Sequence, residues 1–70
     1  MHNLSMLLTS LQVATASARE RLDDPSISTR VKQGNFQVVR VTFDPKGKST
    51  ITPITAWATL PAIIDALYAL

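Results

Sequence analysis

The chain has 70 residues, no cysteine, a single histidine, and a formal charge of +2 from seven basic and five acidic side chains. Zero cysteine excludes a disulfide framework and any thiolate metal site, and the lone His2 excludes a histidine cluster. At 46% hydrophobic residues the chain is too apolar for disorder, and its slight basic excess permits an anionic partner without demanding one.

Residues 1–70 therefore read as one small domain. A chain of this length buries only roughly 60% of its unfolded surface, so core energy and chain entropy nearly cancel. Without a disulfide or a metal, the remaining sources of stability are very good packing or a second subunit, and a homodimer is expected on that ground.

The first element is a helix. Leu4, Leu7, Leu8, Leu11, Ala14, Ala18 and Leu22 recur at three- and four-residue spacing and lie along one face. Asn3 or Ser5 can cap its start, and Pro25 ends it by disfavouring helical geometry at Asp24. Met6, Val13 and Ala16 fall outside that stripe. They either widen the buried face or form a second apolar stripe. The candidate dimer seam is then Met6 and Val13, or else the exposed edge of the first strand, which could pair with its copy. Residues 4–13 are apolar enough to suggest a secretion signal. No Lys or Arg precedes them, however, and Ser5, Thr9, Ser10 and Gln12 interrupt them. With no apolar run near the ~20 residues a bilayer requires, the expectation is a cytoplasmic protein without membrane contact.

Three strands follow. Ile27, Thr29 and Val31 alternate with Ser28, Arg30 and Lys32, the period of a half-buried strand. Gln33, Gly34 and Asn35 mark a turn, and residues 36–43 make the strongest strand, rich in β-branched and aromatic side chains. Asp44-Pro45-Lys46-Gly47 has the residues of a type I turn followed by a positive-φ glycine. Residues 49–55 return as a third strand, which Pro53 confines to an edge because it lacks an N–H. Pro61 then opens a second helix, with Leu60, Ile63, Ile64, Leu67 and Leu70 as its buried stripe and Trp57 expected to seal its junction with the sheet. At about ten residues this helix needs a surface to dock on. The fold class is α+β, in the order α-β-β-β-α, a three-stranded antiparallel meander with both helices on one face.

Register decides which sheet face stays open. The second turn pairs Asp44 with Lys48, so that Val41 faces Ile51 and Val39 faces Pro53. Val39, Val41, Phe43 and Ile51 then share a face. For Ile27 and Val31 to join them under the helices, the first hairpin needs an odd-numbered loop such as Gly34-Asn35-Phe36. The open face that follows is basic and threonine-rich, with Arg30, Lys32 and Arg40 around Val38 and Ile54, and those five residues are the expected partner-binding set. A solvated sheet face would carry much the same composition.

No catalytic constellation is present. Glu20, Asp23, Asp24, Asp44 and Asp65 each have a local structural role, and no base accompanies the serines and threonines. Gly47-Lys48-Ser49 lacks the upstream glycine of a phosphate loop and leads into a strand. No enzyme, cofactor or metal site is expected.

The α-β-β-β-α order and the length resemble the double-stranded-RNA-binding domain. That resemblance implies RNA contacts from the first helix, from a loop between the first two strands and from lysines at the start of the last helix. The matching segment here, Trp57-Ala58-Thr59-Leu60-Pro61, has no Lys or Arg, so the resemblance is one of topology. The leading expectation is a non-enzymatic protein-binding module: an adaptor, inhibitor or regulator of the size class that phages and mobile elements encode, with an acidic protein as partner. The alternative is a small nucleic-acid-binding protein that uses Phe36 for stacking and Lys46 and Lys48, with the sheet cations, for phosphates. A structural subunit of a larger assembly is the third.

Overall fold

A computed structural model describes residues 4–70. Its elements are α1 (Leu4–Leu22), β1 (Ile27–Lys32), β2 (Asn35–Phe43), β3 (Ser49–Pro53) and α2 (Leu60–Ala69). The strands form one antiparallel sheet in the order β1-β2-β3, and both helices cover the same side of it. The α+β architecture is the expected one, and Pro53 stands on an edge strand as its missing N–H requires. His2 and the candidate cap Asn3 lie outside the described residues.

α1 packs through a narrow band. Leu11, Ala14, Thr15 and Ala18 are buried, while Leu8 and Leu22, expected inside, are exposed. The two alanines leave room for α2 to approach closely. Buried Thr15 is satisfied by donating its hydroxyl to the Leu11 carbonyl at 2.7 Å. The helix ends before Pro25: Asp23 takes a left-handed φ of 50°, its N–H donates to the Glu20 carbonyl, and that of Asp24 donates to Arg19. This wraps the last turn back on itself and satisfies its carbonyls.

α2 buries Leu60, Ile63 and Leu67, and Ile64 and Leu70 pack at the margin, as the spacing predicts. It has no basic residue in its own last turn. Arg21 of α1 supplies one, donating from Nη1 to the Leu70 carbonyl at 2.7 Å and from Nη2 to Leu67 at 2.8 Å. A cation thus meets the negative end of the helix dipole and ties the two helices together.

The second hairpin has the expected register, with Val41 opposite Ile51 and Val39 opposite Pro53. Asp44 organises it by accepting the N–H groups of Lys46 and Lys48, both at 2.9 Å, while Gly47 takes φ 84°. The first hairpin differs from expectation. Lys32 pairs with Asn35, so the loop is the two residues Gln33 and Gly34, both left-handed at φ 52° and 81°. Ile27 consequently lies beside Arg40, Thr29 beside Val38, and Val31 beside Phe36. Ile27 and Val38 enter the core with Leu11, Ala14, Ala18, Leu60, Ile63 and Leu67, and Phe36 and Ile54 pack against them. β2 carries apolar residues on both sides, and the helices cover Phe36 and Val38 of its even-numbered set, leaving Arg40 and Thr42 exposed.

Candidate functional site: the uncovered sheet face

The even-numbered loop inverts the expected face. Val38 is 0% exposed, and Ile54 and Phe36 are half-buried against the core. Val38 and Ile54 therefore sit under the helices, and Phe36 presents no free ring for stacking. Arg40 is on the helix side as well and is turned to the end of the sheet. Its Nε and Nη2 reach Asp24 Oδ2 at 3.1 and 2.9 Å. Of the five residues expected to bind a partner, only Arg30 and Lys32 remain on the open side. The physical reason is parity: one residue more or fewer in the loop sends every β1 side chain to the opposite face of its neighbours on β2.

Asp24 holds that corner. Its other carboxylate oxygen accepts the Ser26 hydroxyl and, at 3.0 Å, the Ser26 N–H. The Ser26 hydroxyl, then the Arg40 guanidinium, then the Ser26 N–H keep its carboxyl below the usual carboxylate range.

The uncovered side is built from the odd-numbered residues of β2 and their partners. Val41 stands opposite Ile51, Phe43 opposite Ser49, and Val39 between Ser28 and Pro53. Phe43 is 70% exposed and Ile51 47%. Pro53 is exposed beside them and Val41 half-buried. Val39, Val41, Phe43 and Ile51 were expected to form the buried face. Val39 is buried, at 1% exposed, but Val41, Phe43 and Ile51, with Pro53, form an apolar belt on the surface.

The other end of this side is polar and aromatic. After Pro53 the chain bulges away from β2 and rejoins it where Ala58 and Phe36 exchange hydrogen bonds of 2.8 and 2.7 Å. Inside the bulge, the Thr55 hydroxyl accepts the Val38 N–H at 3.1 Å, which keeps that buried donor satisfied. Buried Gln37 clamps the arrangement: its Nε2 donates to the Thr55 carbonyl at 2.9 Å, and its Oε1 accepts from Arg30 Nε at 2.8 Å. The Arg30 guanidinium carbon then lies 5.0 Å from the Trp57 ring centroid, a cation–π stack. Trp57, expected to seal the sheet–helix junction, instead walls a shallow hollow with Lys32, Gln33 and Asn35.

Lys46 and Lys48 belong to the opposite hairpin, beyond Phe43. β2 alone separates the two ends by about 26 Å, from eight steps of ~3.3 Å. The five cations of the sheet and its hairpins thus fall into three places: Arg30 and Lys32 at one end, Lys46 and Lys48 at the other, and Arg40 across the sheet on Asp24. Arg19 and Arg21 lie on α1. Met6 and Val13 are exposed on α1, so they do not widen its buried face, and they remain the candidate dimer seam.

Among the described residues there is no group of acidic or histidine side chains placed to hold a metal ion. Every buried side-chain nitrogen or oxygen described has a hydrogen-bond partner, so the interior's polar capacity is used by the fold itself. No helix among the described residues is long and apolar enough to cross a membrane. Comparison with protein-family models, curated proteins and solved structures gives no match to this chain.

Sequence reasoning missed Val41, Phe43, Ile51, Pro53, Gln37 and Trp57 as members of the open face. The local signal for the first four was the loop parity alone. For Gln37 and Trp57 there was none, since their partners come from other strands.

Proposed function

We propose that the chain is a non-enzymatic protein-binding module, an adaptor, inhibitor or regulator, that engages its partner through the uncovered face of the sheet. The observation that carries this reading is the apolar belt of Val41, Phe43, Ile51 and Pro53 across two adjacent strands. An antiparallel sheet with one face in water ordinarily alternates polar residues outward, and clustered exposed apolar side chains mark interaction surfaces. The belt is bordered by Arg30 stacked on Trp57, two of the residue types enriched at the centres of protein interfaces. Phosphate tracking calls for a continuous run of cations, and here those of the sheet and its hairpins are divided among three places. That division, with Phe36 tucked against the core, favours a protein partner over a nucleic acid.

The test compares two immobilised chains, wild type and Phe43→Ser/Ile51→Ser, in extract of the native host. Both substitutions are at exposed positions, so the two chains should melt within a few degrees of each other. A stoichiometric partner retained by wild type should be reduced roughly tenfold or more on the double variant, as expected for loss of apolar anchors. Equal retention by both chains would defeat the reading.

A further inference from the structure

The sheet has two free edges, and they differ. In β3 the backbone groups of Thr50 and Thr52, and those of Ile54 just after it, point at β2, as the Ile54 N–H bond to the Val38 carbonyl shows. Those of Ser49, Ile51 and Pro53 point outward. Pro53 has no N–H to offer, which cuts a regular ladder short on that edge. In β1 the Val41 N–H bond to the Ser26 carbonyl sets the even-numbered residues inward, so Ile27, Thr29 and Val31 point outward. The carbonyl of Ile27 is already taken by Arg19 Nε at 2.6 Å, and its N–H leans on the Asp24 carbonyl at 3.5 Å. Thr29 and Val31 keep an outward N–H and C=O each, enough for four ladder bonds.

We propose that this edge of β1 receives an extended acidic segment of the partner protein, which adds to the sheet as a fourth strand. The inference rests on the reading of the chain as a protein-binding module and names the chemistry of what it binds. Charge complementarity carries it. Arg30 and Lys32 are exposed, point to the same side, and belong to the edge strand itself. Side chains of an added strand would stand about 5 Å from them, within reach of a carboxylate on each. On the helix side the same strand would meet Val31, 61% exposed, and a cleft of about 200 Å³ lined by Leu11, Gln12, Thr15, Arg19, Ser28 and Thr29. That space holds one side chain and is below the size of a small-molecule pocket, about 300 Å³ at least, and the exposed Val31 beside it favours an aliphatic neighbour on the added strand. The preferred segment therefore alternates acidic and aliphatic residues. A second copy of the chain fits poorly. The pairing that uses Thr29 and Val31 on both copies sets Arg30 directly opposite its own counterpart, and like charges in that position repel.

The experiment titrates the isotope-labelled full chain with a capped peptide of about seven residues alternating glutamate and valine, and reads amide exchange residue by residue. Thr29 and Val31 should slow by roughly tenfold or more, because only strand addition occupies those two donors. Val31→Pro removes one outward donor and no bond to β2, and it should weaken binding about tenfold. Lys32→Glu should weaken the glutamate peptide about fivefold and strengthen a lysine–valine one. Tyr68→Ser, at an exposed position of α2 outside both proposed surfaces, should leave peptide affinity unchanged. The host-extract comparison reads the open face separately, so the two failures are told apart. The proposal is overturned by peptide binding without protection of Thr29 and Val31, by unchanged affinity in Val31→Pro and Lys32→Glu, or by no binding at millimolar peptide. Concentration-dependent protection of the same amides without peptide would assign the edge to a second copy and overturn it as well.

Discussion

Asp24 accepts hydrogen bonds from the Ser26 hydroxyl, the Ser26 N–H and two nitrogens of Arg40, and all of them favour its charged form. Because its folded pKa lies below the ordinary carboxylate value, its contribution to stability is full above about pH 4 and is lost as pH falls through the depressed folded value. Urea melts of wild type and Asp24→Asn between pH 6 and pH 2.5 should show a constant difference at the upper end that shrinks in acid. A difference independent of pH would mean that the charge of Asp24 does not matter to the fold. Asp24 was legible in the sequence only as a residue near a helix end. Its pairing with Arg40, sixteen residues away, depends on the first hairpin's register. Gln37 was not legible at all, since Arg30 and Thr55 are seven and eighteen residues from it and only the bulge after Pro53 brings them together.

The two hairpins show why one could be read from the sequence and the other could not. Asp44, Pro45 and Gly47 each fix a torsion or a hydrogen bond locally, so the turn and its register follow from residue chemistry. Gln33 gives no such signal, because glutamine is an uncommon occupant of the left-handed region that a two-residue turn requires. Apolar residues on both faces of β2 then left parity open. It follows that Gln33→Asn, which puts Asn-Gly in the turn, should stabilise the chain by about 0.5 kcal/mol and raise its melting temperature by roughly 2–4 °C. No gain in a thermal melt would indicate that Gln33 is extended, as in the longer loop. The helices were legible to the extent that local spacing decides them. α2 matched its stripe fully. In α1 the buried band turned toward Thr15, because a threonine whose hydroxyl bonds back to Leu11 can be buried like an apolar residue.

At the scale of the whole molecule, element order, edge placement of β3 and the helices' shared side all follow from the sequence. The identity of the uncovered face does not, because a single loop residue separates a basic threonine face from the apolar belt of Val41, Phe43 and Ile51. Both the proposed partner surface and the free donors of β1 depend on that parity. The most direct measurement is therefore the set of proton–proton contacts across β1 and β2 in solution. Residues facing each other without mutual hydrogen bonds approach to about 4.5 Å between α-carbons, so their α-protons give strong cross-peaks. The register described here predicts such peaks between Thr29 and Val38 and between Val31 and Phe36. Cross-strand contact of Val31 with Val39 in their place would return Val41, Phe43 and Ile51 to the helix side and contradict the proposed binding face.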